Sequence, residues 1–197
     1  MISHHDYIRT PATADLSPAT SAARLTWMII LTIAVVGATF ALSCVTPFAA
    51  LAVALAGTVG LRASLRVVTV VWIANQVIGF VFFHFPLTTN TFLWGFAIGI
   101  AALVTTAIAA VAVKYLASAP PPLRLGVALL VSFASYEITL LVSAVFLGGF
   151  ETFAPSIVAR LAWINAASLV AMVVLNEIAA ASCKPWLGRL PRLAKAQ

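Results

Sequence analysis

Four polar side chains stand inside stretches that are otherwise apolar enough to cross a bilayer. Asn75 and Gln76 lie in VVTVVWIANQVIGFVFFHF, Glu137 in VSFASYEITLLV and Asn165 in RLAWINAASLV. An amide at that depth costs several kcal/mol unless something hydrogen-bonds it. On a helix Trp72, Asn75, Gln76 and Gly79 follow an i, i+3, i+4, i+7 pattern and share one face, which must look into protein or a wet cavity. At a rise of 1.5 Å per residue, Asn75 stands roughly 12 Å and Glu137 roughly 18 Å above the inner ends of their helices. Asn165 lies roughly 13 Å below the outer side, a similar level in a ~30 Å core. Three helices thus bring hydrogen-bonding groups to one depth, and Asn165, Ser168, Met172 and Asn176 continue a mixed polar stripe. An intramembrane carboxyl marks a functional site by default. Two readings of Glu137 stay open: part of a ligand site, or a structural lock that holds Asn75 or Gln76 across a helix interface.

The remaining candidates sit nearer the membrane surfaces. Arg160 either snorkels to outer headgroups or pairs with Glu151, or else contacts an anion at the mouth of a pocket. Cys44 reads as a small buried hydrophobe or as a soft ligand facing an outer pocket. Trp72, Trp94 and Trp163 suit an aromatic belt or stacking on a planar ligand. His84 is an interfacial residue with no second ligand at metal-binding spacing, so no metal site and no cofactor are expected. Covalent chemistry needs a nucleophile with its base, or a second carboxyl at Glu137's level, and Glu177 lies near the inner end; an enzyme is not expected.

These side chains have to be positioned by a bundle of membrane helices. The chain has 197 residues, of which 63% are hydrophobic and 8% charged. A soluble domain carries about 25% charged residues, and the mean hydropathy here is +1.11. Six spans can be drawn: Leu25–Ser43, Thr46–Leu61, Val67–His84, Thr91–Val113, Leu125–Leu147 and Ser156–Ser182. The second is the shortest, alanine-rich and entered through Pro47, a residue tolerated in the first turn of a helix. The APPP run at Ala119–Pro122 separates the fourth span from the fifth. The fold class expected is all-α and polytopic, with residues 25–183 forming the membrane domain. Residues 1–24 are expected to be a disordered cytoplasmic tail and 184–197 a basic cytoplasmic tail.

Charge sets the orientation. The net charge of +6 would suggest nucleic acid in a soluble chain, but here the positive-inside rule accounts for it and no nucleic-acid partner is expected. With both termini inside, ten of the 11 Lys and Arg residues fall on the cytoplasmic side and only Arg160 falls outside. Cys44 and Cys183 are then a membrane apart and cannot pair.

A chain of about this length with six spans and both termini inside resembles the substrate-binding (S) components of energy-coupling-factor vitamin transporters. The resemblance implies an inner-membrane protein that takes a vitamin-like small molecule from an outward pocket lined by Asn75, Gln76, Glu137, Asn165 and Trp72. It also implies that small residues on the first helix, here Ala34-xxx-Ala38, meet a transmembrane coupling subunit. The chain has no GxxxxGK[ST] loop, so ATP hydrolysis would belong to partner ATPases. The solitary cobalamin members are similar in one more respect, an outer cysteine able to ligate cobalt, the part Cys44 would play. A different reading of the same residues is a non-transporting membrane subunit or assembly factor whose polar cluster is structural.

Overall fold

The computed structural model describes residues 18–41 and 45–182. Six α-helices run through them with no strand: α1 (Pro18–Ala41), α2 (Phe48–Ala56), α3 (Leu61–Val77), α4 (Thr89–Tyr115), α5 (Pro121–Leu147) and α6 (Pro155–Ser182). A π-helical turn, Ile78–Phe82, prolongs α3, and a 3-10 turn, Phe150–Phe153, links α5 to α6. Among the described residues four helical stretches are long and apolar enough to cross a membrane: Leu61–Phe82, Thr89–Tyr115, Pro121–Leu147 and Pro155–Ala179. The protein is an all-α membrane protein. Arg62, Arg66 and Lys114 mark one end of the bundle (the basic end), and His84, Phe85 and Glu151 the other (the far end).

Four elements differ in extent from the sequence expectation, among them α3, which starts at Leu61 rather than Val67, and α5, which starts at Pro121 rather than Leu125. Helix α1 begins at Pro18 rather than Leu25, since proline is preorganised for a first turn and the alanines after it favour helix. The greatest difference is α2. Instead of a span over Thr46–Leu61 it is a nine-residue helix, about 14 Å long and half the thickness of a hydrocarbon core. Every residue from Phe48 to Leu55 is at most 2% exposed. A helix apolar on all sides must be covered on all sides, and α3, α4, α5 and α6 do so. Its alternating alanines let four neighbours approach at once.

Around this centre each helix turns one stripe inward. On α1 the stripe is Trp27, Leu31, Val35 and Thr39, and on α6 it is Asn165, Leu169, Met172 and Asn176, all buried. The opposite side of α1 is open: Ala34 and Gly37 are exposed, and a Cβ at Gly37 would meet nothing within 4 Å. Trp27 Nε1 donates to Thr58 Oγ1 at 3.2 Å near the basic end, and the Thr39 and Thr46 hydroxyls meet at 3.0 Å farther up. Helix α1 is therefore pinned to both flanks of α2.

Glycines set the α3–α4 contact. A Cβ on Gly99 would lie 2.6 Å from the Trp72 ring, and one on Gly95 would overlap the carboxamide oxygen of Gln76. Trp72 Nε1 reaches past this notch to the Gly95 carbonyl at 2.9 Å. Gly99→Ala is expected to lower stability by about 1–3 kcal/mol through overpacking, read as a lower unfolding midpoint in detergent together with a shift in tryptophan emission. Beyond the notch, the Phe85 ring closes over Gly79, and His84, at φ 54, turns the chain out of the helix.

Candidate functional site

A helix that starts inside a bundle leaves its first N–H groups without water to bind. Three of the four polar side chains expected to line a chamber, Asn75, Gln76 and Asn165, gather at the N-terminal end of α2, where that demand arises. Thr46 and Pro47 carbonyls accept from Phe48 N–H at 2.8 Å and Leu51 N–H at 3.0 Å. The Asn165 side-chain oxygen, arriving from α6, accepts the Ala50 N–H at 3.1 Å. Its amide nitrogen is held by the Leu161 carbonyl at 3.0 Å. Asn165 therefore caps α2 from another helix.

Beside it runs a directional chain. Gln76 Nε2 donates to Asn75 Oδ1 at 3.2 Å, and Asn75 Nδ2 donates to Thr46 Oγ1 at 2.8 Å. The Thr39 hydroxyl donates to the Val35 carbonyl at 2.9 Å, so the proton in the Thr46–Thr39 contact comes from Thr46. Each link strengthens its neighbours in a low-dielectric interior. Asn75 is 8% exposed and Asn165 6%.

Glu137 stands at this depth but outside the chain. It lies ten residues from the far end of α5, and Asn165 ten from the far end of α6, which puts both about 15 Å down. The Glu137 side chain is half-buried, and its Oε1 is shielded with no hydrogen-bond partner. Asn75 donates to Thr46 and Gln76 to Asn75, so the expected lock of Glu137 on these amides does not account for the bonds they make. Tyr136 is the residue that α5 turns toward α2, its ring 6.0 Å from that of Phe48, and Glu137 follows about 100° around the helix.

The other sequence candidates disperse. Trp72 faces α4 rather than the amide chain, although it shares a helix face with Gln76. Arg160 is exposed on α6. Cys44 lies outside the described residues, as do Cys183 and the tails 1–17 and 183–197. Arg124, counted in sequence as a loop cation, is 3% exposed in the second turn of α5; the APPP run starts the helix earlier than Leu125 and draws the arginine in.

Two residues of the cluster escape the sequence reading. Thr46, next to a proline that opens a helix, carries an N-terminal signature that would have marked it. Thr39 carries none. Among the described residues no three of His, Cys, Asp and Glu come together.

Fold and site define a membrane-embedded helical bundle built around a buried half-length helix, whose first turn is capped by Asn165 from α6 and whose entry at Thr46 is held by Thr39 from α1 and Asn75 from α3. Comparison with protein-family models, with curated proteins and with solved structures returned no match.

Proposed function

We propose that this chain is the ligand-binding membrane component of an uptake system of the S-component type, which takes a small, mostly apolar, vitamin-like molecule at the far end of the bundle. The carrying observation is that α2 occupies only the basic half. In the far half Ser143 and Leu147 on α5 and Val158 and Leu161 on α6 are half-buried, although Ala144, Ala97 and Ile78 there are closed off, whereas the α2 residues beside the basic half are shut away completely. A ligand lying there would have the capped end of α2 as its floor and aliphatic walls. The unpartnered Glu137 oxygen stands at the floor's depth and would select a hydroxyl or N–H donor on the ligand. Arg160 lies at the mouth. The exposed Ala34 and Gly37 on α1 suit a coupling subunit, which would bring the ATPases this chain lacks. A cobalt corrinoid would need Cys44, outside the described residues.

A second reading has its own support. Asn75, Asn165, Thr39 and Thr46 are all engaged in holding α2, as in a membrane subunit whose polar cluster is purely structural. Purification in detergent followed by mass spectrometry of co-purified small molecules separates the two. Under the uptake reading a defined molecule is retained, and Glu137→Gln, which replaces one accepting oxygen by an NH2 group, lowers its affinity about tenfold, the worth of one hydrogen bond, with the unfolding midpoint unchanged. If no molecule is retained, or Glu137→Gln leaves affinity untouched, the subunit reading stands.

A further inference from the structure

A groove of about 200 Å³ opens between α3 and α4, lined by Val68, Thr69, Trp72, Phe96, Gly99, Ile100 and Leu103. It belongs to the side of the bundle that faces lipid: Phe96 is 60% and Ile100 58% exposed. Gly99 hollows it, because any side chain there would push against the Trp72 ring. Both polar groups on its wall are turned inward to the backbone. The Thr69 hydroxyl donates to the Leu65 carbonyl at 2.8 Å and the Trp72 indole N–H to the Gly95 carbonyl at 2.9 Å. What remains to be touched is methyl, methylene and aromatic carbon.

Cations lie below the groove on both helices. Arg62 is seven residues before Thr69 on α3, two turns nearer the basic end and about 20° from it on the helix wheel. Arg66 is one turn below Thr69, about 60° away. Lys114 is eleven residues after Leu103 on α4, three turns down and about 20° away. Arg62, Arg66 and Lys114 are all exposed. Below the apolar groove the cations follow at stepped heights toward the basic end, Arg66 about 5 Å and Arg62 about 11 Å below Thr69 and Lys114 about 17 Å below Leu103, an arrangement complementary to an apolar chain with an anionic head.

We propose that this groove seats an acyl chain of an anionic phospholipid, whose negative head is attracted by the field of Arg62, Arg66 and Lys114. The groove supplies van der Waals contact to a chain that would otherwise meet other chains, and the cations supply the preference for negative charge. Diffuse attraction of basic loops to an anionic surface needs no groove, so the two origins are separable.

The experiment adds an equimolar mixture of phosphatidylglycerol and phosphatidylcholine with identical chains to the detergent-purified protein, and reads the bound lipids by native mass spectrometry. The expected result is retention of phosphatidylglycerol over phosphatidylcholine by at least about tenfold, with about a hundredfold as the ceiling that three juxtamembrane cations set. The triple variant R62Q/R66Q/K114Q brings that ratio to about one while phosphatidylcholine retention stays as it was. Ile100→Trp, which fills the groove from an exposed position, lowers retention of both lipids. Lys114→Gln alone, a change at an exposed side chain that cannot unfold the bundle, lowers the ratio part of the way. Equal retention of the two lipids by the parent protein, or unchanged phosphatidylglycerol retention in Ile100→Trp, overturns the proposal.

Discussion

Asn165→Ala unfolds in detergent at a clearly lower temperature than the parent protein. The substitution removes the acceptor of the Ala50 N–H and leaves that group buried beside Ala49 and Leu51, which are 1% and 0% exposed. An orphaned buried donor costs about 1–3 kcal/mol in a protein interior, and lipid on the outside of the bundle offers no water to repair it. The effect should be local to the first turn of α2. Trp163→Ala, two residues away but 75% exposed, serves as the control and should change stability by no more than about 0.5 kcal/mol. A midpoint for Asn165→Ala equal to that of Trp163→Ala would remove Asn165 from its capping role.

The largest loss of stability is expected for Trp27→Ala. Trp27 is fully buried and heads the largest side chains of the core. Truncating a buried tryptophan costs about 3–5 kcal/mol through lost transfer energy and the cavity left behind. Trp27→Phe separates the packing from the hydrogen bond to Thr58, whose loss alone should cost about 1 kcal/mol. The Thr58 hydroxyl keeps its own acceptor, the Ala54 carbonyl at 2.8 Å, so that variant leaves no orphan on the α2 side. Reversible unfolding in mixed detergent micelles measures both variants. Nearly equal values for Ala and Phe would mean that the indole N–H, rather than the bulk of the ring, holds α1 to the turn between α2 and α3.

These two residues show where sequence reading succeeds and where it stops. Asn165 stands out in RLAWINAASLV because an amide in an apolar run demands a partner, and its depth follows from counting residues. Its partner could not be read, because the Ala50 N–H lies 115 residues away and becomes an orphan only because α2 starts inside the bundle. The shortness of α2 was itself hidden. The run FAALAVALA is apolar at every position, and without periodicity such a run reads equally as part of a span or as a buried half-helix.

The face shared by Trp72, Asn75 and Gln76 was legible from spacing alone, yet the structure divides it. Asn75 turns to Thr46 on the way into α2, and Trp72 turns to the glycine notch of α4. Residues about 60° apart on one helix meet different neighbours when two helices pack on that side. Glu137 repeats the lesson at a third helix: it lies as far from the end of α5 as Asn165 does from the end of α6, while Asn75 donates to Thr46 and Gln76 to Asn75.

Composition and residue order by themselves determined that this chain is helical and membrane-embedded, and which polar side chains stand inside its long apolar segments and must find partners there. Hydropathy is a sum over neighbouring residues and is complete along the chain. Only the tertiary structure decided that α2 is a half-length central helix, that Asn165 and Thr46 serve its first turn, and that Trp72 belongs to a lipid-facing groove. Those outcomes depend on how helices rotate and approach one another, which is settled by the fit of alanines, glycines and aromatic rings from distant segments rather than by any stretch of sequence alone.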